Sequence, residues 1–181
     1  MRAYNRIELE KEARETGFIR DNLEKVIRLS NILEFLVSND DLKGKVVLKG
    51  GTAINLTVFD MPRLSVDIDL DYCCNSDKDT MMADRAVIGQ EILGHMQSNG
   101  YTLHPSSKNT HALDSWVFSY LNAGGNRDNI KIEINYMMRT HILEPRTRKT
   151  SIPFIDEVDV YALSPLELFG SKIKALIERA A

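Results

Sequence analysis

The 181 residues contain only two cysteines, Cys73 and Cys74, and these are adjacent. Neighbouring thiols make a poor zinc pair and an unfavourable disulfide, so the sequence does not read as a stapled secreted module. Reduced thiols and a cytoplasmic location are the expectation. Long apolar runs are also missing. No stretch approaches the roughly 20 residues of a membrane span, so no membrane partner is expected. A strong charge of either sign is lacking too, with 23 basic against 26 acidic side chains and a net charge of −3. That balance argues against a uniformly basic nucleic-acid coat but leaves room for a local patch. Arg139, Arg146, Arg148 and Lys149 form such a cluster. It reads either as a solvated loop or as an attractor of tRNA or another polyanion, for which phosphate contacts dominate affinity. The N-terminus, rich in Glu8, Glu10, Glu12 and Glu15, is unlike a signal peptide. Internal repeats and low-complexity segments are absent.

What is present is the composition of an ordinary folded chain, 43% hydrophobic and 27% charged. Its length suits one domain with a sizeable core. Residues 6–38 carry Phe18, Leu23, Val26, Ile27, Leu29, Ile32, Leu33, Leu36 and Val37 at three- and four-residue steps. This predicts helix, divided near Gly17. A strand over 45–48, a short helix over 52–59 and a strand over 66–72 follow. Asp79 is the expected cap of a helix running to about Ser98, with Met82, Val87, Ile88, Ile92, Leu93 and Met96 on its apolar stripe. Residues 101–104, 115–122 and 129–136 read as antiparallel strands, the last two joined through Ala123-Gly124-Gly125-Asn126. In the third, Ile130, Ile132, Ile134 and Tyr136 take one face, while Lys131, Glu133 and Asn135 take the other. Residues 140–162 look irregular with short extended pieces. Ser164-Pro165-Leu166-Glu167 then signals a helix start, with Ser as cap and Pro at the first position.

The chemistry concentrates in two apolar runs. Val46-Val47-Leu48-Lys49 ends in Gly50-Gly51-Thr52, and fifteen residues after Gly51 begins Val66-Asp67-Ile68-Asp69-Leu70. Strand alternation puts Asp67 and Asp69 on one face, about 7 Å apart along the strand. Two such carboxylates converge on hydrated Mg²⁺ when an anion shares the site. A glycine turn leading into a helix start can hold that anion, because it permits close backbone approach and directs N–H groups at phosphate. Asp71 has the same parity but lies nearer the next loop, and is otherwise read as solvated. His95, His104, His111 and His141 show no ligand spacing and read as surface or loop residues. Trp116 and Phe118 read as core.

Taken in order, Gly50-Gly51-Thr52, Arg63-Leu64-Ser65-Val66-Asp67-Ile68-Asp69-Leu70 and a later strand carboxylate resemble the nucleotidyltransferase superfamily. Leu48-Lys49-Gly50-Gly51-Thr52-Ala53-Ile54-Asn55-Leu56, Ile130-Lys131-Ile132-Glu133-Ile134 and Ser164-Pro165-Leu166-Glu167-Leu168 with Lys172 narrow the resemblance to the AbiEii/AbiGii toxin family. The resemblance implies an α+β fold, a mixed sheet flanked by helices. Residues 1–44 would be a helical cover and 45–181 the nucleotidyltransferase core, with a further C-terminal helical region expected beyond the chain. It also implies the toxin of a toxin–antitoxin or phage-defence pair, moving a nucleotide from NTP to an acceptor such as tRNA, with a cognate antitoxin. Asp67, Asp69 and Glu133 would be catalytic residues and ligands of Mg²⁺, as two ions, with Glu133 the second-site ligand or the base. Lys49, Gly50, Gly51, Thr52 and Lys172 would hold the phosphates. Arg63 would anchor the aspartate loop or touch substrate. Two alternatives stand beside this reading: a non-catalytic NTP- or partner-binding module, and a small-molecule transferase of the antibiotic-modifying sort.

Overall fold

A computed structural model describes residues 5–59, 66–151 and 156–180. Arg63 and Ser65 lie outside the described residues, as does the expected helix stop at Met61-Pro62. The chain opens with α1 (Arg6–Thr16) and α2 (Arg20–Ser38). Asn5 and Glu8 form a reciprocal capping box at the start of α1. Gly17, at φ +74°, closes α1 and returns its N–H to the Ala13 carbonyl, a left-handed conformation that glycine adopts without strain. The division expected near Gly17 is therefore a C-cap. There follow β1 (Val46–Lys49), α3 (Gly50–Thr57), β2 (Ile68–Tyr72) and α4 (Lys78–Ser98). After these come β3 (Thr102–Leu103), β4 (Lys108–Asn109), β5 (Leu113–Leu121), β6 (Arg127–Asn135), β7 (Arg146–Lys149), β8 (Asp159–Ala162) and α5 (Pro165–Ala180).

Among the described residues the eight strands form one mixed sheet in the order β3-β5-β6-β2-β1-β8-β7, with β4 also on β5. The fold is thus α+β, as the sequence implied. Strand β2 sits between an antiparallel neighbour, β1, and a parallel one, β6. Alternation dictates which side chains are buried: Ile68, Leu70 and Tyr72 of β2 and Ile130, Ile132 and Ile134 of β6 all join the core. That core also takes in Val26, Leu29, Ile32, Leu33 and Leu36 of α2, Ile88, Ile92 and Met96 of α4, and Trp116 and Phe118 of β5. A smaller cluster of Leu9, Leu23 and Ile27 holds α1 against α2. The opposite faces of β2 and β6 carry Asp69, Asp71, Lys131, Glu133 and Asn135.

Several local expectations change. Helix α4 is capped by Asp77, which accepts the Thr80 N–H, and not by Asp79. With that start, Met81, Ile88, Ile92 and Met96 are buried, while Met82 and Val87 flank the stripe and are exposed. The basic cluster is not a loop. Arg146, Arg148 and Lys149 lie on β7, paired with β8, and Arg139 donates to the Ser76 and Asp77 carbonyls. Ser164 caps α5 as expected, its hydroxyl accepting the Glu167 N–H at 3.2 Å.

Candidate active site

Two strand registers assemble the site. The parallel pairing of β2 with β6 sets Asp69 directly beside Glu133. The antiparallel pairing of β1 with β2 sets Lys49 opposite Asp69 and Val47 opposite Asp71. Residues paired in this way share a face, so Lys49, Asp69, Asp71 and Glu133 all project from one side of the sheet. Asp67 stands exposed just ahead of β2. Sequence parity placed Asp67 and Asp69 together; only the pairing brings in Glu133, 64 residues further along.

The glycine turn is wedged against this group. Gly50 has φ +74°, and a Cβ there would overlap the Asp69 carboxylate. Glycine is required twice over, by the backbone conformation and by the space that the carboxylate occupies. Helix α3 begins at Gly50 itself, two residues earlier than expected, and its cap residue Lys49 supplies no side-chain acceptor to the first turn. Thr52 is turned inward. Its hydroxyl donates to the Asp67 carbonyl, which ties the turn to the entrance of β2.

The electrostatics are those of crowded carboxylates. Burial, then the charges of Glu133 and Asp67, push the Asp69 carboxyl above its ordinary range. Burial also pushes Glu133 upward, but hydrogen bonds from Lys131 and Ser115 and the charges of Lys131 and Lys49 prevail and hold it low. Lys131 Nζ lies 2.9 Å from Glu133 Oε1. Among the described residues no three His, Cys, Asp or Glu side chains form a ready-made metal cage. The donor set nevertheless suits Mg²⁺: all-oxygen, anionic and short of positive charge at Asp69. Magnesium typically takes one or two carboxylates and completes its shell with water and substrate phosphate.

Two sequence readings need correction. Asp71 is not solvated. It is 3% exposed and paired with the Lys49 ammonium. His141 lies in a loop, as read, but its imidazole is not at the surface. Its side chain is 5% exposed, with Nδ1 3.7 Å from Glu167 Oε1, and its Nε2 and Glu167 Oε2 are buried without hydrogen-bond partners among the described residues. His141 and Glu167 both act electrostatically on Asp71. The sequence carried one signal for this cluster, the parity of Asp71. Lys172 lies exposed on α5, with no ion pair to the carboxylates among the described residues.

A turn of two glycines set against paired acidic strands is the arrangement that the motifs implied, and the family comparison agrees. The model of the nucleotidyl transferase AbiEii toxin family, a type IV toxin–antitoxin system, matches residues 32–181. The chain belongs to the AbiEii family. No curated protein matches it. Among solved structures, this AbiEii chain resembles JHP933 from Helicobacter pylori, with a TM-score of 0.55 and 19% identity over 83% of this chain and 55% of that one. It likewise resembles an H. pylori protein provisionally assigned as a nucleotidyltransferase, with a TM-score of 0.54 and 20% identity over 83% and 57% of the two chains. At that identity the likeness speaks for the fold, and the chain spans little more than half the length of each. No helix of the described residues is long and apolar enough to cross a membrane.

Proposed function

We propose that this AbiEii chain is a metal-dependent nucleotidyltransferase toxin that moves a nucleotide from an NTP to an acceptor hydroxyl. The observation that carries the reading is the register of Asp69 beside Glu133, with Gly50 packed so closely on Asp69 that no side chain fits. Asp67, Asp69 and Glu133 would hold Mg²⁺. When bound, the metal would neutralise charge on the triphosphate and on the leaving pyrophosphate. The backbone of Gly50, Gly51 and Thr52 at the α3 N-terminus would receive the β- and γ-phosphates, with Lys49 and Lys172 as point charges. The acceptor oxygen attacks the α-phosphorus, a P–O bond forms, the α–β bridge breaks and pyrophosphate departs. The acceptor proton goes to Glu133 or to solvent. An RNA such as tRNA is the acceptor that the family suggests, and a cognate antitoxin its regulator.

The test is incubation with each α-³²P-labelled NTP, Mg²⁺ and total tRNA, beside Asp69→Asn. Labelled RNA with the native chain only would establish transfer and name both the base and the acceptor class. Label on a small hydroxylated acceptor would move the reading to a small-molecule transferase. Thermal stabilisation by NTP without product would make the chain a binding module.

A further inference from the structure

Lys49 makes an unexpected choice of partner. In an antiparallel pair, directly opposed side chains are about 4.5–5.5 Å apart at Cβ and diagonal ones about 7–8 Å. Lys49 is directly opposite Asp69. Its ammonium nevertheless bonds the diagonal residue, Asp71, which is paired opposite Val47. Among the described residues Asp69 has no ion pair, although Lys49 lies within electrostatic reach of both Asp69 and Glu133. Asp71 itself occupies a costly place for a carboxylate, 3% exposed and within electrostatic reach of His141 and Glu167. A carboxylate kept there, two residues beyond the candidate ligand, captures the strand lysine directly opposite Asp69, while Lys131, the other lysine on this face, pairs with Glu133.

We propose that Asp71 is a positioning residue that draws Lys49 away from Asp69 and so keeps the Asp69 carboxylate open to a divalent cation. The inference rests on the metal-dependent reading above. A lysine seated on Asp69 would occupy its lone pairs and add positive charge where the cation must bind. Once Asp71 is neutralised, Asp69 becomes the nearest anion to Lys49.

The measurement is Mn²⁺ binding followed by electron paramagnetic resonance, without nucleotide, on the native chain and on Asp69→Asn, Asp71→Asn, Lys49→Met and the Lys49→Met/Asp71→Asn double variant. Asp71→Asn should weaken Mn²⁺ by about ten- to a hundredfold, the range for residues that orient metal ligands. Adding Lys49→Met should restore binding, and the double variant should match Lys49→Met alone. Unchanged affinity in Asp71→Asn would overturn the proposal. So would a double variant weaker than Lys49→Met, because Asp71 would then act on the metal directly. That last comparison stands even if Asp71→Asn alone fails to fold, since the double variant leaves no unpaired lysine. Native chain that binds no Mn²⁺, or binds it equally after Asp69→Asn, would overturn the metal reading itself, and the inference with it.

Discussion

Gly50 is the residue on which the site's geometry turns. Alanine there meets a left-handed backbone and the Asp69 carboxylate together, so Gly50→Ala should cost about 1–3 kcal/mol of stability. It should also abolish nucleotidyl transfer by displacing Asp69. Urea melts beside the labelled-NTP assay would check both, and full activity in a folded variant would contradict the wedge. Asp69→Asn should do the reverse to stability. Burial and two neighbouring carboxylates disfavour its charge, so without divalent metal the variant should melt at a higher temperature than the native chain at neutral pH. His95 offers a pH dependence remote from the acids. Its ring stacks on Phe35 at 3.7 Å, and burial pushes its pKa below the ordinary 6.5. The unfolded chain therefore takes up this proton at higher pH than the folded one. The contribution is complete above pH 6.5 and drains away as pH falls below it. His95→Gln should flatten the decline of the urea midpoint as pH falls below 6.5 and leave the profile above it unchanged.

Among elements, α4 is tied to the sheet by Asp84, which accepts from Lys45 and the Tyr72 hydroxyl, and by Arg85. Arg85 grips buried Asp114 of β5 through Nε and Nη2, donates to the Thr110 and His111 carbonyls, and lies 4.7 Å above the Tyr136 ring. Arg85→Met would strand the Asp114 carboxylate, at a cost of about 3–5 kcal/mol. Pairing it with Asp114→Leu should recover much of the loss in chemical denaturation. This clamp was illegible in the sequence, because no periodicity joins positions 29 residues apart. The elements themselves were largely legible. Ile130, Ile132 and Ile134 alternate in the sequence and are buried in the structure, and Ser164-Pro165 starts a helix in both. Two strands of the site could be written down from their residues, and so could the face that carries Asp69 and Glu133. What alternation leaves open is what covers a face. Asp71 shares the parity of Asp69, yet Asp71 is buried and Asp69 half-buried, and the groups that act on Asp71, His141 and Glu167, come from distant parts of the chain. The direction of Lys49 was equally unreadable, since register and neighbours decide it. The α4 stripe was legible except at its edge: Ile88, Ile92 and Met96 are buried and Leu93 packs on the core, but Met81 turns inward in place of Met82, and Val87 is exposed.

Across the whole molecule, α5 is the helix that leaves most apolar surface uncovered among the described residues. Leu168 is buried, but Leu166, Ile173, Leu176 and Ile177 are exposed on a helix whose pattern is amphipathic. Such a face promotes association in water. Ile173→Lys with Leu176→Lys should therefore lower self-association in sedimentation velocity, while changing stability by no more than about 0.5 kcal/mol, as exposed substitutions do. A large drop in melting temperature would show that these side chains are packed in solution.

The parallel pairing of β2 with β6 has a consequence in time. The chain leaves the ribosome from its N-terminus, and the glycine turn and Asp69 emerge early. Glu133 does not exist until α4 and three further strands have been synthesised, and the His141–Glu167 contact over Asp71 comes later still. Contacts of such long sequence separation form late in folding. On the proposed activity, a nascent chain that has not yet reached Glu133 would lack the carboxylate partner of Asp69 and would transfer no nucleotide.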